Sequence, residues 1–131
     1  MEKDGLVSIW FGKCSTYEEL KKYVAVNYTE DGDAEDSRFE KDFDIEYLDE
    51  DFMEINFHNT PLKSFSEMLK NHSYFRSIIS SFLGKFGDTL DEQYNSLILL
   101  YDFDYKGEKR NICGDMMLKF IGSTSYDKSD Y

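Results

Sequence analysis

"SLILLYDFDY", residues 96–105, leaves the chain least freedom. It opens on a continuous apolar run and ends in alternation. A strand buried on both faces gives the first pattern and a strand with one wet face gives the second. The segment is therefore expected to be a central strand with a more exposed far end. Partners for it lie elsewhere in the chain. "LVSIWFG" (6–12) reads as a short buried strand that stops at a glycine. "DFMEINFH" (51–58) alternates, with Met53, Ile55 and Phe57 pointing one way and Phe52, Glu54, Asn56 and His58 the other, so it is expected to have one core face and to break at Thr60 and Pro61. "EKRNIC" (108–113) is expected to return as an edge strand after a turn at Lys106 and Gly107, and "MMLKFIG" (116–122) to be the last strand.

Helices separate these strands. "STYEELKKYVAV" (15–26) has a capping box from Ser15 and Glu18 or from Thr16 and Glu19, with Tyr17, Leu20 and Val24 at helical spacing. "SRFEKDF" (37–43) permits one or two turns capped by Ser37, with Phe39 and Phe43 four apart on the core side. Ser64 and Glu67 offer a further box. The strongest pattern starts at Ser73, where Phe75, Ile78, Ile79, Phe82, Leu83 and Phe86 form one face that covers a sheet. Gly84 weakens that helix by about 1 kcal/mol relative to alanine, and Gly87 suits its stop. The order β, α, α, β, α, α, β, β, β predicts an α+β fold: one domain over residues 1–126, a largely antiparallel sheet with helices packed on one side, and a frayed tail at 127–131. Strand order does not follow from the pattern.

The formal net charge is −12, and the 24 residues of "TEDGDAEDSRFEKDFDIEYLDEDF" (29–52) supply −10 of it. Twelve carboxylates stand there against Arg38 and Lys41, interleaved with Phe39, Phe43, Ile45, Tyr47 and Leu48. A disordered acidic tract would lack those apolar groups. Concentrated charge makes a field that attracts a basic partner and speeds its arrival. The same sign argues against nucleic acid as a direct ligand. No stretch approaches the ~20 apolar residues of a membrane span, and no apolar leader follows a basic start, so a cytoplasmic protein is expected. Cys14 and Cys113 are too few for a disulfide framework, and a single bridge between them stays open.

Site chemistry other than binding finds little support. Asp31, Asp33 and Glu35 have the alternate spacing of calcium-loop ligands, but Asp36 stands where the loop needs glycine and Asp42 where it needs a bidentate glutamate. Twelve carboxylates allow many acid and base pairings, and that abundance singles out none. His58 and His72 show no ligand spacing, and His58 is expected at the surface or in a hydrogen bond. Cys14 precedes a helix N-terminus without a base nearby in sequence. "GKCS" (12–15) lacks the glycine that opens a phosphate loop. Neither an enzyme nor a cofactor or metal is expected. Tyr28 and Tyr47 are expected to supply contact area within the acidic segment, and Phe39, Phe43 and Phe52 to face the core.

The stretches "GLVSIWFG" (5–12), "YTEDGD" (28–33), "DEDF" (49–52), "SLILLYDF" (96–103) and "LKFIGS" (118–123), taken in order over roughly 4–126, resemble the immunity protein 22 family of bacterial polymorphic toxin systems. The resemblance implies an α+β cytosolic protein, without catalytic residues, that binds and neutralises a toxin domain made by the same cell, often a nuclease. A nuclease presents basic groups to phosphate, and carboxylates can take the phosphates' place. The toxin contacts are accordingly expected at Asp31, Asp33, Glu35, Asp36, Asp42, Asp44, Glu46, Tyr47, Asp49 and Asp51. The sheet face around Glu54 and His58 is the next place to look. The competing readings are a DNA-mimic inhibitor of another DNA-binding protein and a calcium or small-ligand module.

Overall fold

A computed structural model describes residues 2–45, 48–70, 72–107 and 116–129. In chain order the elements are β1 (Glu2–Lys13), α1 (Tyr17–Val24), β2 (Asn27–Tyr28), β3 (Ala34–Glu35), α2 (Arg38–Asp42), a 3-10 turn (Glu50–Phe52), β4 (Met53–Ser64), α3 (Phe65–Leu69), α4 (Phe75–Phe86), β5 (Thr89–Phe103) and β6 (Met117–Ser125). The expected α+β architecture is present as a four-stranded antiparallel sheet in the order β4-β5-β1-β6, with β2 and β3 as a separate small hairpin. The apolar run of β5 is central, as its pattern requires: Ile98 lies opposite Trp10 of β1 on one edge and Ile55 of β4 on the other.

Successive strand residues point to opposite faces, so a run without polar interruptions needs cover on both. That is what corrects the expectation of helices on one side. Val7, Ile9, Phe11, Leu97 and Leu99 join Phe65, Met68, Leu69, Ile78 and Phe82 of α3 and α4 in one core. Trp10, Ile98 and Leu100 join Leu20, Tyr23 and Val24 of α1 and Phe39 of α2, with Phe43 and Ile45, in another. The expected helix caps form at Thr16, whose hydroxyl accepts from Glu19 N at 3.1 Å, at Ser37 and at Ser64. Gly87 ends α4 with φ +81°.

The two edges of the sheet are blunted differently. β4 does not break at Thr60 and Pro61 as expected but runs through them to Ser64, with register shifts on either side of Leu62. An edge strand tolerates proline because one side of its backbone has no ladder to complete. β6 carries a register shift opposite Ile9 and Trp10, which twists its edge. The proposed edge strand at 108–113 and Cys113 lie outside the described residues; Cys14 is a free, buried thiol. Beyond β6, the Tyr126 hydroxyl donates to Asp102 at 2.7 Å and Lys128 pairs with Asp4 and Asp102, while Asp127 N donates to Ser77 Oγ at 3.0 Å.

Trp10 is the hub of the α1/α2 core. Its ring meets Phe39 edge-on at 5.0 Å and Phe43 at 5.8 Å, and Tyr105 and Phe120 close the cage at 5.3 and 5.1 Å. Beneath it, Gly12 of β1 is packed so tightly against β6 that a Cβ would collide with the Met117 carbonyl oxygen and the Leu118 side chain. The first of these is backbone and cannot step aside. Gly12→Ala is therefore expected to cost about 2–4 kcal/mol by forcing two paired strands apart, read as a lowered midpoint in urea unfolding followed by Trp10 fluorescence. At α2, Ser37 and Glu40 form a full capping box, with both side chains buried. Ser37→Ala strips Glu40 of its hydroxyl donor as well as uncapping the helix, so about 1–3 kcal/mol should be lost. The same urea titration reads it.

Candidate functional site

The acidic segment supplies Phe39, Phe43 and Ile45 to the core that α1 closes. Its start turns back on itself in the hairpin of β2 and β3. Thr29 N donates to Asp33 O at 2.8 Å and Gly32 N to Thr29 O at 2.9 Å, while Gly32 takes φ +86°, which suits glycine. This turn leaves Asp31, Asp33, Glu35 and Asp36 exposed. Next, α2 reverses the pattern by burying Phe39 and Phe43, with Ile45 just after it. The expectation that Phe39 and Phe43 anchor the segment is met.

The carboxylates then divide by task. Asp42 is half-buried, accepts the Tyr23 hydroxyl at 2.9 Å and lies 3.5 Å from Arg38 Nε, so it ties α2 to α1. Burial, and then the Asp42 carboxylate, push the Tyr23 phenol far above its ordinary range, keeping it a donor. Glu40 accepts from Ser37 N at 2.9 Å and Ser37 Oγ at 3.0 Å and is withdrawn from solvent. Asp49 caps the 3-10 turn by accepting from Asp51 N at 3.0 Å. Asp44 is exposed in a left-handed turn at φ +56°, and Asp51 is exposed. Glu46 and Tyr47 lie outside the described residues. Six of the eight described candidates, Asp31, Asp33, Glu35, Asp36, Asp44 and Asp51, thus face water, while Asp42 and Asp49 also serve the fold.

Aromatic side chains accompany them. Tyr28 is 67% exposed, as expected of a contact residue, whereas Phe52, expected in the core, is 46% exposed. Phe52 lies in the 3-10 turn just before β4, and the alternation of 51–58, which pointed it away from Met53, Ile55 and Phe57, was the better guide to its exposure. Tyr17, 41% exposed in the first turn of α1, is a further surface aromatic that periodicity had placed on the core side. Large aromatics amid charge are the composition of binding surfaces, where they supply rigid contact area.

The alternative sheet face at Glu54 and His58 is covered. Glu54 takes the Tyr101 hydroxyl and lies 3.3 Å from Ser73 Oγ, and His72 bonds Asn56 at 3.0 Å. Burial raises the Glu54 pKa, but the His72 ring and the two hydroxyls outweigh it and leave the carboxyl below its ordinary value. His58 is hydrogen-bonded, to the Met68 carbonyl at 3.2 Å. This cluster closes the α3–α4 turn onto β4. Burial raises the Cys14 thiol, against a bond with Ser96 at 2.8 Å, which disfavours the nucleophilic thiolate. Among the described residues no group of three or more His, Cys, Asp or Glu side chains converges to hold a metal ion, and no helix is long and apolar enough to cross a membrane.

No curated protein and no solved structure matches the chain. A family model described as Immunity protein 22 matches residues 7–127, from the middle of β1 to just beyond β6. That range takes in both cores and the whole acidic layer, and the chain belongs to the immunity protein 22 family.

Proposed function

We propose that this protein neutralises a cognate bacterial toxin domain, a nuclease with a basic active-site surface, by laying the acidic layer across that surface in the cytosol of the producing cell. Family membership carries the immunity function and a toxin as partner. What supports the acidic segment as the contact is one observation: Asp31, Asp33, Glu35, Asp36, Asp44, Glu50 and Asp51 are exposed, as are the rings of Tyr28 and Phe52, while Phe39, Phe43 and Ile45 of the same segment are buried in the core.

The mechanism is substitution of charge. Carboxylates accept from Arg and Lys side chains in the short, charge-assisted geometry that phosphate oxygens would use, so an occupied cationic cleft is closed to nucleic acid. No bond of the toxin is broken or made, and the protein acts as a non-catalytic inhibitor. The exposed charges steer the encounter, and the aromatic rings, desolvated on docking, hold the complex.

Reversing Asp31, Asp33, Glu35 and Asp36 together to lysine is expected to abolish protection when the chain is co-expressed with the toxin encoded beside it, while the thermal melt stays within a few degrees of the parent. Preserved protection would move the interface away from the hairpin. Tyr28→Ala separates the two contributions: surface plasmon resonance should show a dissociation rate raised by roughly tenfold or more, with an association rate changed little. A Tyr28→Ala effect confined to association would contradict its part as an anchor.

A further inference from the structure

The acidic segment is not acidic throughout. Its middle is α2, and with Phe39 and Glu40 buried and Asp42 half-buried against Tyr23, the solvent side of that helix is Arg38 and Lys41. Three residues apart, the two are neighbours on one helical face. Exposed carboxylates resume at both ends: Glu35 and Asp36 directly before the Ser37 cap, and Asp44 directly after Phe43. Only five helical residues, at about 1.5 Å of rise each, lie between. α1, joined to α2 through Tyr23 and Phe39, adds exposed Lys21 and Lys22 in its last turn and no carboxylate there. A basic strip thus interrupts the acidic surface, in the order minus, plus, minus.

Within the chain the strip has little to hold. Arg38 reaches only the half-buried Asp42, through Nε at 3.5 Å, and its side chain is 69% exposed. Among the described residues Lys41 makes no ion pair, although acids stand at both ends of its helix. Both cations keep donors turned to solvent.

A cleft that was cationic throughout would reject this strip. A lysine buried on docking with no anion opposite loses its hydration without return and meets like charge as well. The surface that fits has the inverse order, with cations on the flanks and carboxylates between. A nuclease that cuts with a divalent metal has that order: one or two carboxylates hold the metal in a groove whose flanks bind phosphate through Arg and Lys.

We infer that Lys41, flanked by Arg38, meets the metal-binding carboxylates of the toxin, its Nζ standing where the cation would, while the hairpin carboxylates engage the basic flank. The inference rests on the proposed toxin contact and narrows the partner to metal-dependent nucleases. A nuclease whose centre holds no carboxylate offers the strip nothing.

Calorimetric titration of the full chain with the toxin encoded beside it, in metal-free buffer, tests this. Lys41→Met keeps an unbranched stem and the helix propensity and removes the charge, so the thermal melt should match the parent while Kd rises roughly tenfold or more. Millimolar magnesium chloride should weaken the parent complex severalfold beyond sodium chloride of equal ionic strength, since the metal competes for the same carboxylates. That excess should vanish in Lys41→Met. A Lys41→Met chain that binds as tightly as the parent overturns the inference, as does magnesium acting no more strongly than sodium, or equally on parent and variant. If the quadruple lysine variant at Asp31, Asp33, Glu35 and Asp36 loses protection while Lys41→Met keeps full affinity, the acidic contact stands and the metal-centred partner falls.

Discussion

Burial of β1 and β5 on both faces is the constraint from which the rest of the molecule follows. Residues 97 to 100 alternate between two cores, and neither core exists without a helical layer to close it. On one side α3 and α4 close it as compact helices. On the other the closing layer includes the most acidic stretch of the chain. Phe39, Phe43 and Ile45 hold that stretch down, and burying three such side chains contributes roughly 5–9 kcal/mol. Two carboxylates 10 Å apart in water repel by roughly 0.4 kcal/mol, and by about a third of that at physiological ionic strength. Each such pair is small beside a single anchor, and Phe39, Phe43 and Ile45 are what tie the segment to the sheet.

How much of this the sequence carried depends on the kind of signal. Periodic burial was legible: the β5 run, the alternation of Met53, Ile55 and Phe57, the α4 pattern and the Ser37 cap all appear where their spacing puts them. The two-layer arrangement was implied by the same β5 run, but helix amphipathicity says only that a helix covers a face and not which one. The continuation of β4 through Pro61 was hidden because proline's missing donor matters only in a strand with neighbours on both sides, and edge position is a property of the assembled sheet.

The division of labour among the carboxylates was also not legible, for a chemical reason. Capping a helix, accepting a tyrosine hydroxyl and meeting a partner's arginine ask the same thing of a side chain, an oxygen with lone pairs to offer. Asp42 and Asp49 differ from Asp31 and Asp36 only in what the fold brings beside them: Tyr23 in one case and the backbone of Asp51 in the other. Glu40 makes the point most clearly, since its position three residues after Ser37 marks it for the cap, and it is the one carboxylate of α2 fully withdrawn from solvent.

Segregating charge by layer has a consequence for recognition. If twelve net negative charges were spread evenly, a basic protein would be drawn to every side and would spend its encounters in unproductive orientations. With ten of them in one segment, and α4 on the other sheet face bearing two cations and no anion, the field has a direction. Orientation is what limits association of two specific patches well below the diffusion rate, so a directed field raises the productive fraction of encounters as well as their number. Salt weakens that steering within a Debye length of ~8 Å but leaves the rings of Tyr28 and Phe52 untouched. On the proposed contact, arrival and retention fall to different atoms of the same segment, and each can be tuned without disturbing the Phe39 and Phe43 anchors, which pack on Trp10.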